Sequence, residues 1–327
     1  MTMDFFLSVP EEISKQLTVD WLNIVDVAKL DSAYMSHKSR ERFLRLIADP
    51  QSEYVHGTEL HFKSTSTDLT YLAWLARREC RVRDVYIPTS FAHDSDLLTK
   101  FFQICGTGLR QIQLQQHDSR VKDYPTYGPI IAHVVEHCHH LQELSLRGGF
   151  SEDPDLLHQL SLRCPYINTL TFYDCLDYKG DLNKDLSFFA LRRFEACYAL
   201  LSDTFMEAIA IGSANLQELC LNSTLGISPE GLEVVAANCP LIHTVCLTHT
   251  MHEHVLAVVM YCKNLQTLEV VCPEDTFTDE TLFAIAEHCP ALHTLHLAKC
   301  LRVTSVGVDE VFKRCTRLRD LNLDYRS

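Results

Sequence analysis

A motif that recurs about every 26 residues constrains the fold of this chain more than any other feature. Six copies fit the pattern C-x-x-L-x-x-L-x-L, as in CPALHTLHL from Cys289, with Ile, Val or Phe replacing Leu in places. The copy at 213 has Ser for Cys, the copy at 188 is degraded, and the copies at 105 and 80 have one residue more and one fewer. The copies begin at positions 80, 105, 138, 164, 188, 213, 239, 262, 289 and 315. So regular a period predicts a stack of similar units that share one elongated core.

Each copy carries the pattern of a strand followed by a helix. Leu-x-Leu is the period-two signature of a short strand with one buried face. Ser228 and Pro229 mark the start of a helix, and so does Thr278. In the last copy, four apolar residues are predicted to form a helical stripe: Val306, Val308, Val311 and Phe312. The repeated unit predicts an α/β solenoid, with a parallel sheet on the concave side of a horseshoe and helices on its convex side.

The charge and length of the chain narrow its range of partners. The 327 residues carry a formal net charge of -14, whereas nucleic acids and anionic membranes both need a basic surface. No apolar run reaches the ~20 residues needed to span a bilayer, and the N-terminus lacks the pattern of a signal peptide. We therefore expect a cytoplasmic and/or nuclear protein whose fourteen cysteines are reduced thiols.

The repeat resembles the leucine-rich repeat, in its cysteine-containing class. The segment LHLAKCLRVTSVGVDEVFKRC carries the residues typical of that class: Cys300, Thr304, Gly307 and Cys315. The resemblance implies a leucine-rich-repeat horseshoe of about ten repeats over residues 79–327. Residues 51–78 are predicted to form a degenerate leading repeat or junction.

Residues 1–50 do not follow the repeat and are predicted to form three short helices. This segment resembles an F-box, a family that opens with a hydrophobic residue, Pro and Glu, here Val9, Pro10 and Glu12. The resemblance implies binding to the Skp-family adaptor of cullin-type ubiquitin ligases. The residues implied in that contact are Val9, Pro10, Ile13, Leu17, Trp21 and Leu22. The alternative is a helical cap that only shields the first repeat from solvent.

Strand alternation identifies the residues on the sheet face away from the helices. The leucines of Leu-x-Leu point into the core, and the residues between and after them point outward. The outward residues expected to bind a partner are Tyr86, Gln113, Ser145, Arg147, Thr171, Tyr173, Glu195, Glu269, His296 and Asn322. Cys220 and Cys246 occupy the same position in their strands. The strip is mostly neutral and polar and is not lined with arginine, which favours a protein partner over a phosphate group.

The sequence offers little support for catalysis. HVVEH, from His133 to His137, matches the H-x-x-E-H pattern of inverted zinc peptidases. Because Val134 and Val135 continue a buried helical stripe and no cleft is expected, we predict no metal there, no cofactor and no catalytic residue. The repeat cysteines are predicted to be small buried hydrophobes. The insertion at 115–129 either contributes binding contacts or is a tolerated surface loop.

An F-box followed by leucine-rich repeats implies the substrate-recognition subunit of an SCF-type (Skp–cullin–F-box) E3 ubiquitin ligase. In that interpretation the N-terminal helices hold the adaptor, and the concave face holds a protein substrate. Such a subunit is not an enzyme itself and acts by raising the local concentration of the substrate. The alternative is a leucine-rich-repeat interaction scaffold with no role in ubiquitin transfer, whose N-terminal helices act only as a cap.

Overall fold

The computed structural model describes residues 31, 37–48, 73–115, 127–148, 154–175, 186–272 and 276–324. The chain divides into two units, Met1–Leu144 and Ser145–Ser327. The predicted adaptor-binding residues all lie outside the described ranges: Val9, Pro10, Ile13, Leu17, Trp21 and Leu22.

Short helices alternate with short strands along the described ranges. The helices are α1 (His37–Ile47), α2 (Ser95–Cys105), α3 (Gly128–His137), α4 (Pro154–Arg163), α5 (Asp203–Gly212), α6 (Pro229–Asn238), α7 (His252–Tyr261), α8 (Asp279–His288) and α9 (Ser305–Arg314). Residues 73–78 are also helical, and Thr89–His93 form a 3-10 helix. None of the helices in these ranges combines the length and the apolar character needed to cross a membrane.

Ten strands form one parallel sheet in chain order. They are β1 (Asp84–Pro88), β2 (Gln111–Gln115), β3 (Glu143–Arg147), β4 (Thr169–Tyr173), β5 (Arg193–Cys197), β6 (Glu218–Asn222), β7 (Thr244–Thr248), β8 (Thr267–Val271), β9 (Thr294–Ala298) and β10 (Asp320–Asp324). Equivalent residues of successive repeats are paired, as Val245 is with Leu268 and Leu268 with Leu295. This arrangement confirms the predicted α/β leucine-rich-repeat solenoid.

The core of each repeat comes from alternate strand residues and one helical stripe. In β7, Val245 and Leu247 are fully buried, whereas Thr244, Cys246 and Thr248 are partly exposed. The period-two pattern therefore predicted the inward and outward sides of the strands correctly, because a strand points successive side chains to opposite faces.

The repeat cysteines end the helices and lie in the core, as predicted. Cys105 is fully buried and donates its S–H to the Cys80 carbonyl at 3.2 Å, and Cys315 donates to the Cys289 carbonyl at 3.4 Å. In both pairs the carbonyl belongs to the preceding repeat. Burial raises the pKa of the Cys164 thiol to about 12, so this thiol stays protonated at neutral pH. All fourteen cysteines are reduced thiols.

The predicted helix N-caps are confirmed in part. Ser228 precedes α6, and its Oγ accepts a hydrogen bond from the Gly231 N–H at 3.2 Å, which satisfies one of the free donors of the first turn. Thr278 precedes α8 in extended backbone, but its side chain makes no capping hydrogen bond.

The predicted stripe of α9 is wrong at two of its four residues. Val311 is buried, but Val306 and Phe312 are 63% and 53% exposed. Val306 occupies the second helical position, which in α6 and α8 holds the exposed residues Glu230 and Glu280. Phe312 corresponds to Ala236 in α6 and Ala286 in α8, which are both buried, and α9 is the last helix that the structure describes.

Candidate functional site

Seven outward residues of the second unit form one continuous row across the sheet. Strand register places each beside the next, since β4 to β10 are parallel and in register. The row consists of Thr171, Glu195, Cys220, Cys246, Glu269, His296 and Asn322. We call these seven residues the outward row. Five of the predicted partner-binding residues are therefore brought side by side.

The remaining predicted residues lie near the row or in the first unit. Ser145 occupies the outward position of β3 and is half-buried, while Arg147 and Tyr173 end strands β3 and β4. In the first unit, Tyr86 pairs with Gln113 between β1 and β2. Tyr86 is nearly buried, so it offers little surface to a partner.

The centre of the outward row is a pair of thiols. Cys220 and Cys246 are directly opposed on β6 and β7. A hydrogen bond from the Cys246 thiol lowers the pKa of Cys220, and the guanidinium of Arg193 acts in the same direction. The same thiol contact, together with burial and the nearby Glu269 carboxylate, raises the pKa of Cys246. The Sγ of Cys246 also lies 3.6 Å from Oε2 of Glu269, so the pair is continuous with the charged part of the row.

Ion pairs hold the charged side chains of the row in place. Arg193 donates to Glu195 at 2.9 Å and to Glu218 on the next strand at 2.8 Å. His296 lies between two carboxylates, with Nε2 3.0 Å from Asp320 and Nδ1 3.7 Å from Glu269. Because four carboxylates face one guanidinium and one imidazole, this part of the sheet is acidic on balance.

An aromatic cluster lies at the carboxyl ends of β3, β4 and β5. The Arg147 guanidinium lies 4.4 Å from the centroid of the Tyr173 ring, a cation–π distance. The rings of Tyr173 and Tyr198 meet edge to face at 5.7 Å. We call Arg147, Tyr173 and Tyr198 the Arg–Tyr cluster. Tyr198 is 52% exposed, so the cluster offers an apolar surface beside the outward row.

The backbone after each strand helps to fix this cluster. Tyr198 follows β5 with φ of 52°, in the left-handed region, and its N–H donates to the Asn222 carbonyl at 2.8 Å. Asp174 and Ser223 hold the same position in neighbouring repeats, with φ of 54° and 52°. The strand-to-strand hydrogen bonding thus extends one residue beyond the sheet, and it holds Tyr198 against Tyr173.

Sequence reasoning missed several residues at this site. Arg193 and Glu218 precede the outward row by two residues on their strands and share its face. Extending the period-two alternation by one more step would have found them. Leu225 and Met251 are 63% and 59% exposed in the turns after β6 and β7, and the strand pattern gives no signal for these turn residues.

One cluster in the described ranges has the composition of a metal site. His133, Glu136 and His137 each place a ligand atom within 4.8 Å of the others. It lies in the first unit.

Comparisons with known proteins give partial matches in sequence. No protein-family model matches the chain. F-box/LRR-repeat protein 4 of Bos taurus is 31% identical over 134 residues, which cover 40% of this chain and 21% of that protein. Putative F-box/LRR-repeat protein 9 of Arabidopsis thaliana is 26% identical over 178 residues, which cover 53% of this chain and 72% of that protein. The chain thus matches only a minor part of the bovine protein's length.

A solved structure is similar over most of the chain. The leucine-rich-repeat-containing protein LegL7 from Legionella pneumophila aligns with 96% of this chain and 93% of its own, with a TM-score of 0.41 and 15% identity. The parallel sheet and its alternating helices define the fold independently of this similarity. In sequence, the chain resembles the F-box/leucine-rich-repeat proteins.

Proposed function

We propose that this chain is the substrate-recognition subunit of an SCF-type (Skp–cullin–F-box) E3 ubiquitin ligase. The observation that carries the proposal is the sequence similarity to two proteins named as F-box/LRR-repeat proteins. The motif at Val9, Pro10 and Glu12 supports the same assignment. In this proposal the N-terminal segment binds a Skp-family adaptor, and the sheet face binds a protein substrate.

The outward row supports substrate binding by its continuity and its fixed side chains. Interfaces gain most of their binding energy from a few residues, among which Tyr and Arg are enriched. The Arg–Tyr cluster supplies both residue types next to the row. The acidic carboxylates at Glu195 and Glu269 favour a basic segment in the substrate, because complementary charge steers association.

In this role the chain contributes proximity and no chemistry. A substrate held on the sheet face and an adaptor held by residues 1–50 belong to one molecule, so substrate lysines stay at a high effective concentration near the ubiquitin-loaded enzyme. No residue of the outward row is assigned a step in bond making.

Adaptor binding is tested with the intact purified chain and a purified Skp-family adaptor. We expect a stoichiometric complex by isothermal titration calorimetry, and its loss in the variants Leu17→Asp and Leu22→Asp. The variant Tyr173→Ala is the control, since it alters the sheet face and should keep adaptor affinity. An intact chain that does not bind the adaptor overturns the ligase proposal and leaves the interaction scaffold.

Substrate binding is tested by comparing matched surface variants. Proteins cross-linked to the intact chain are quantified for the wild type, for the double variant Tyr173→Ala/Tyr198→Ala, and for Ile211→Ala, which removes an exposed apolar residue from helix α5. We expect a specific set of proteins to be lost only in the double variant. Equal recovery from all three chains contradicts the role of the Arg–Tyr cluster.

A further inference from the structure

Three potential metal ligands share one face of α3. His133, Glu136 and His137 are at helical positions i, i+3 and i+4, which are neighbours on a helix surface. The adjacent residues Val134 and Val135 are buried on the side of the helix that faces the core. The ligands therefore lie on the flank of the helix, where His133 and His137 are half-buried and Glu136 is exposed.

The three ligand atoms converge. One nitrogen from each histidine and one oxygen of Glu136 all lie within 4.8 Å of one another. Nε2 of His137 is 3.7 Å from Oε2 of Glu136. The two imidazole rings are nearly parallel, with centroids 6.0 Å apart and an interplanar angle of 11°. Zn²⁺ binds such ligand atoms at ~2.0–2.2 Å, so a shared ion would draw the three atoms closer together.

Neighbouring residues on α2 hold the imidazoles in this arrangement. The Phe102 ring stacks on His133, with centroids 5.8 Å apart and an interplanar angle of 4°. A Cβ at Gly106 would lie 2.6 Å from the Cβ of His137, so the backbone at the end of α2 approaches His137 closely. A ligand pair that is already oriented loses less conformational entropy on binding than two mobile side chains do.

Two further features favour a cation at this place. Nδ1 of His133 is buried and has no hydrogen-bond partner within the described ranges, so the hydrogen-bonding capacity of this nitrogen is not satisfied by the protein. His137 is the last residue of α3. The free carbonyls at a helix C-terminus carry partial negative charge, which stabilises a nearby cation.

We propose that His133, Glu136 and His137 bind one Zn²⁺ ion, with water completing the coordination. Two imidazoles and one carboxylate form a ligand set that suits borderline divalent transition metals. The proposal departs from the expectation drawn from the sequence, which assigned no metal to HVVEH because its valines continue a buried helical stripe and no cleft was expected there. The structure shows that the valines and the ligands occupy different sides of the helix. The proposed site is a binding site and is assigned no catalysis.

The test is a titration of the reduced full-length chain with Zn²⁺ in competition with a chromophoric chelator. We expect one equivalent to bind, and the variants His133→Phe and His137→Ala each to weaken binding at least ~10-fold. Phe at position 133 removes the nitrogens and keeps a ring for stacking on Phe102, so the fold is preserved. Glu136→Gln should weaken binding less, and His140→Ala is the control that should leave it unchanged.

A second measurement separates this site from the cysteines. Co²⁺ bound by imidazole and carboxylate lacks the intense charge-transfer absorption that cobalt–thiolate bonds produce. We expect a one-to-one cobalt complex without that absorption. The double variant His133→Phe/His137→Ala should form no cobalt complex. The proposal is overturned if the wild-type chain binds no stoichiometric Zn²⁺, if the double variant binds it equally well, or if the cobalt complex shows thiolate ligation.

Discussion

The carboxylate of Asp279, in the first turn of α8, accepts a hydrogen bond from the backbone N–H of Thr304 at 2.8 Å, and also one from the Thr304 hydroxyl. Thr304 is the N-cap of α9, in the next repeat. Asp203 makes the equivalent backbone contact with Ser228, also at 2.8 Å. An aspartate at the start of one helix thus fixes the start of the next, which ties successive repeats together.

Removing the Asp279 carboxylate should destabilise helix α9. We expect Asp279→Ala to lower the free energy of unfolding by about 1.5–3 kcal/mol, the range for hydrogen bonds to charged groups. Hydrogen exchange measured by mass spectrometry should show faster exchange in residues 304–314. Glu280→Ala is the matched control, because Glu280 is exposed in the same helical turn. Equal acceleration in both variants would show that the Asp279–Thr304 contact contributes nothing.

Gly231 is required by the same kind of contact. A Cβ at position 231 would overlap Oδ1 of Asp203, which is held by the Ser228 N–H. We expect Gly231→Ala to destabilise the chain by roughly 1–3 kcal/mol. In an Asp203→Ala background the same substitution should be neutral or stabilising by up to ~1 kcal/mol, since Ala favours the helix over Gly. Chemical unfolding of the wild type, the two single variants and the double variant gives the coupling free energy between positions 203 and 231. Additive effects of the two substitutions on stability would contradict the clash.

Asp31 should make the first unit sensitive to acid. Its carboxylate is 2% exposed and accepts hydrogen bonds from Arg40 at 2.9 Å, Trp74 at 3.0 Å and Arg78 at 3.0 Å. Burial alone would raise the pKa of Asp31, but the hydrogen bonds from Arg40 and Trp74 and the charge of Arg78 outweigh it, and the pKa is lowered.

A lowered folded-state pKa fixes the direction of the pH dependence. The contribution of Asp31 to stability is complete above its unfolded pKa of ~3.9, and it is lost as pH falls through the folded value. Asp31→Asn should cost about 1–3 kcal/mol at pH 7, and this cost should shrink below pH ~4. Unfolding measured from pH 7 to pH 2 tests this, with the exposed Asp96→Asn as control. A cost that is independent of pH would contradict the assignment.

Cys246 should be the first cysteine to react in the native chain. It is half-buried, whereas the other thirteen cysteines are buried. Its hydrogen bond to Cys220, its burial and the nearby Glu269 raise its pKa, so alkylation should be slow at neutral pH and faster as pH rises. Glu269→Gln should accelerate labelling by removing a negative charge.

Peptide mapping after brief iodoacetamide treatment identifies the labelled cysteine. The variant Cys246→Ser should lose the early label and keep the late ones. Early labelling of one of the core cysteines at a helix end, such as Cys239 or Cys289, would contradict the burial described here.

The repeat period predicted the architecture because each repeat uses the same local rules. Leu295 and Leu297 face the core and His296 faces outward simply because a strand alternates. The burial of the cysteines at the helix ends was predicted in the same way, from their position in the repeat. Thr278 differs, because the side chain of a residue at a helix start need not complete the capping hydrogen bond.

The side-chain contacts between repeats could not be predicted from the sequence, for a physical reason. The link from Arg193 to Glu218 and the pairing of Cys220 with Cys246 depend on register between repeats of unequal length. The arrangement of His133 and His137 depends on the packing of Phe102 from another helix. The motif at 133–137 gave the spacing of the ligands, but it gave no information on the neighbours that orient them.

The strand order of the second unit determines how the destabilisation of one repeat affects the others. From β4 to β10 each strand pairs only with its neighbours in the chain, so all sheet contacts are local in sequence. A chain of this kind behaves as a linear array in which each repeat depends on the two beside it. A destabilising substitution in one repeat should therefore unfold that repeat and its neighbours, while distant repeats remain folded. Unfolding should proceed in stages, and a single midpoint would not describe it.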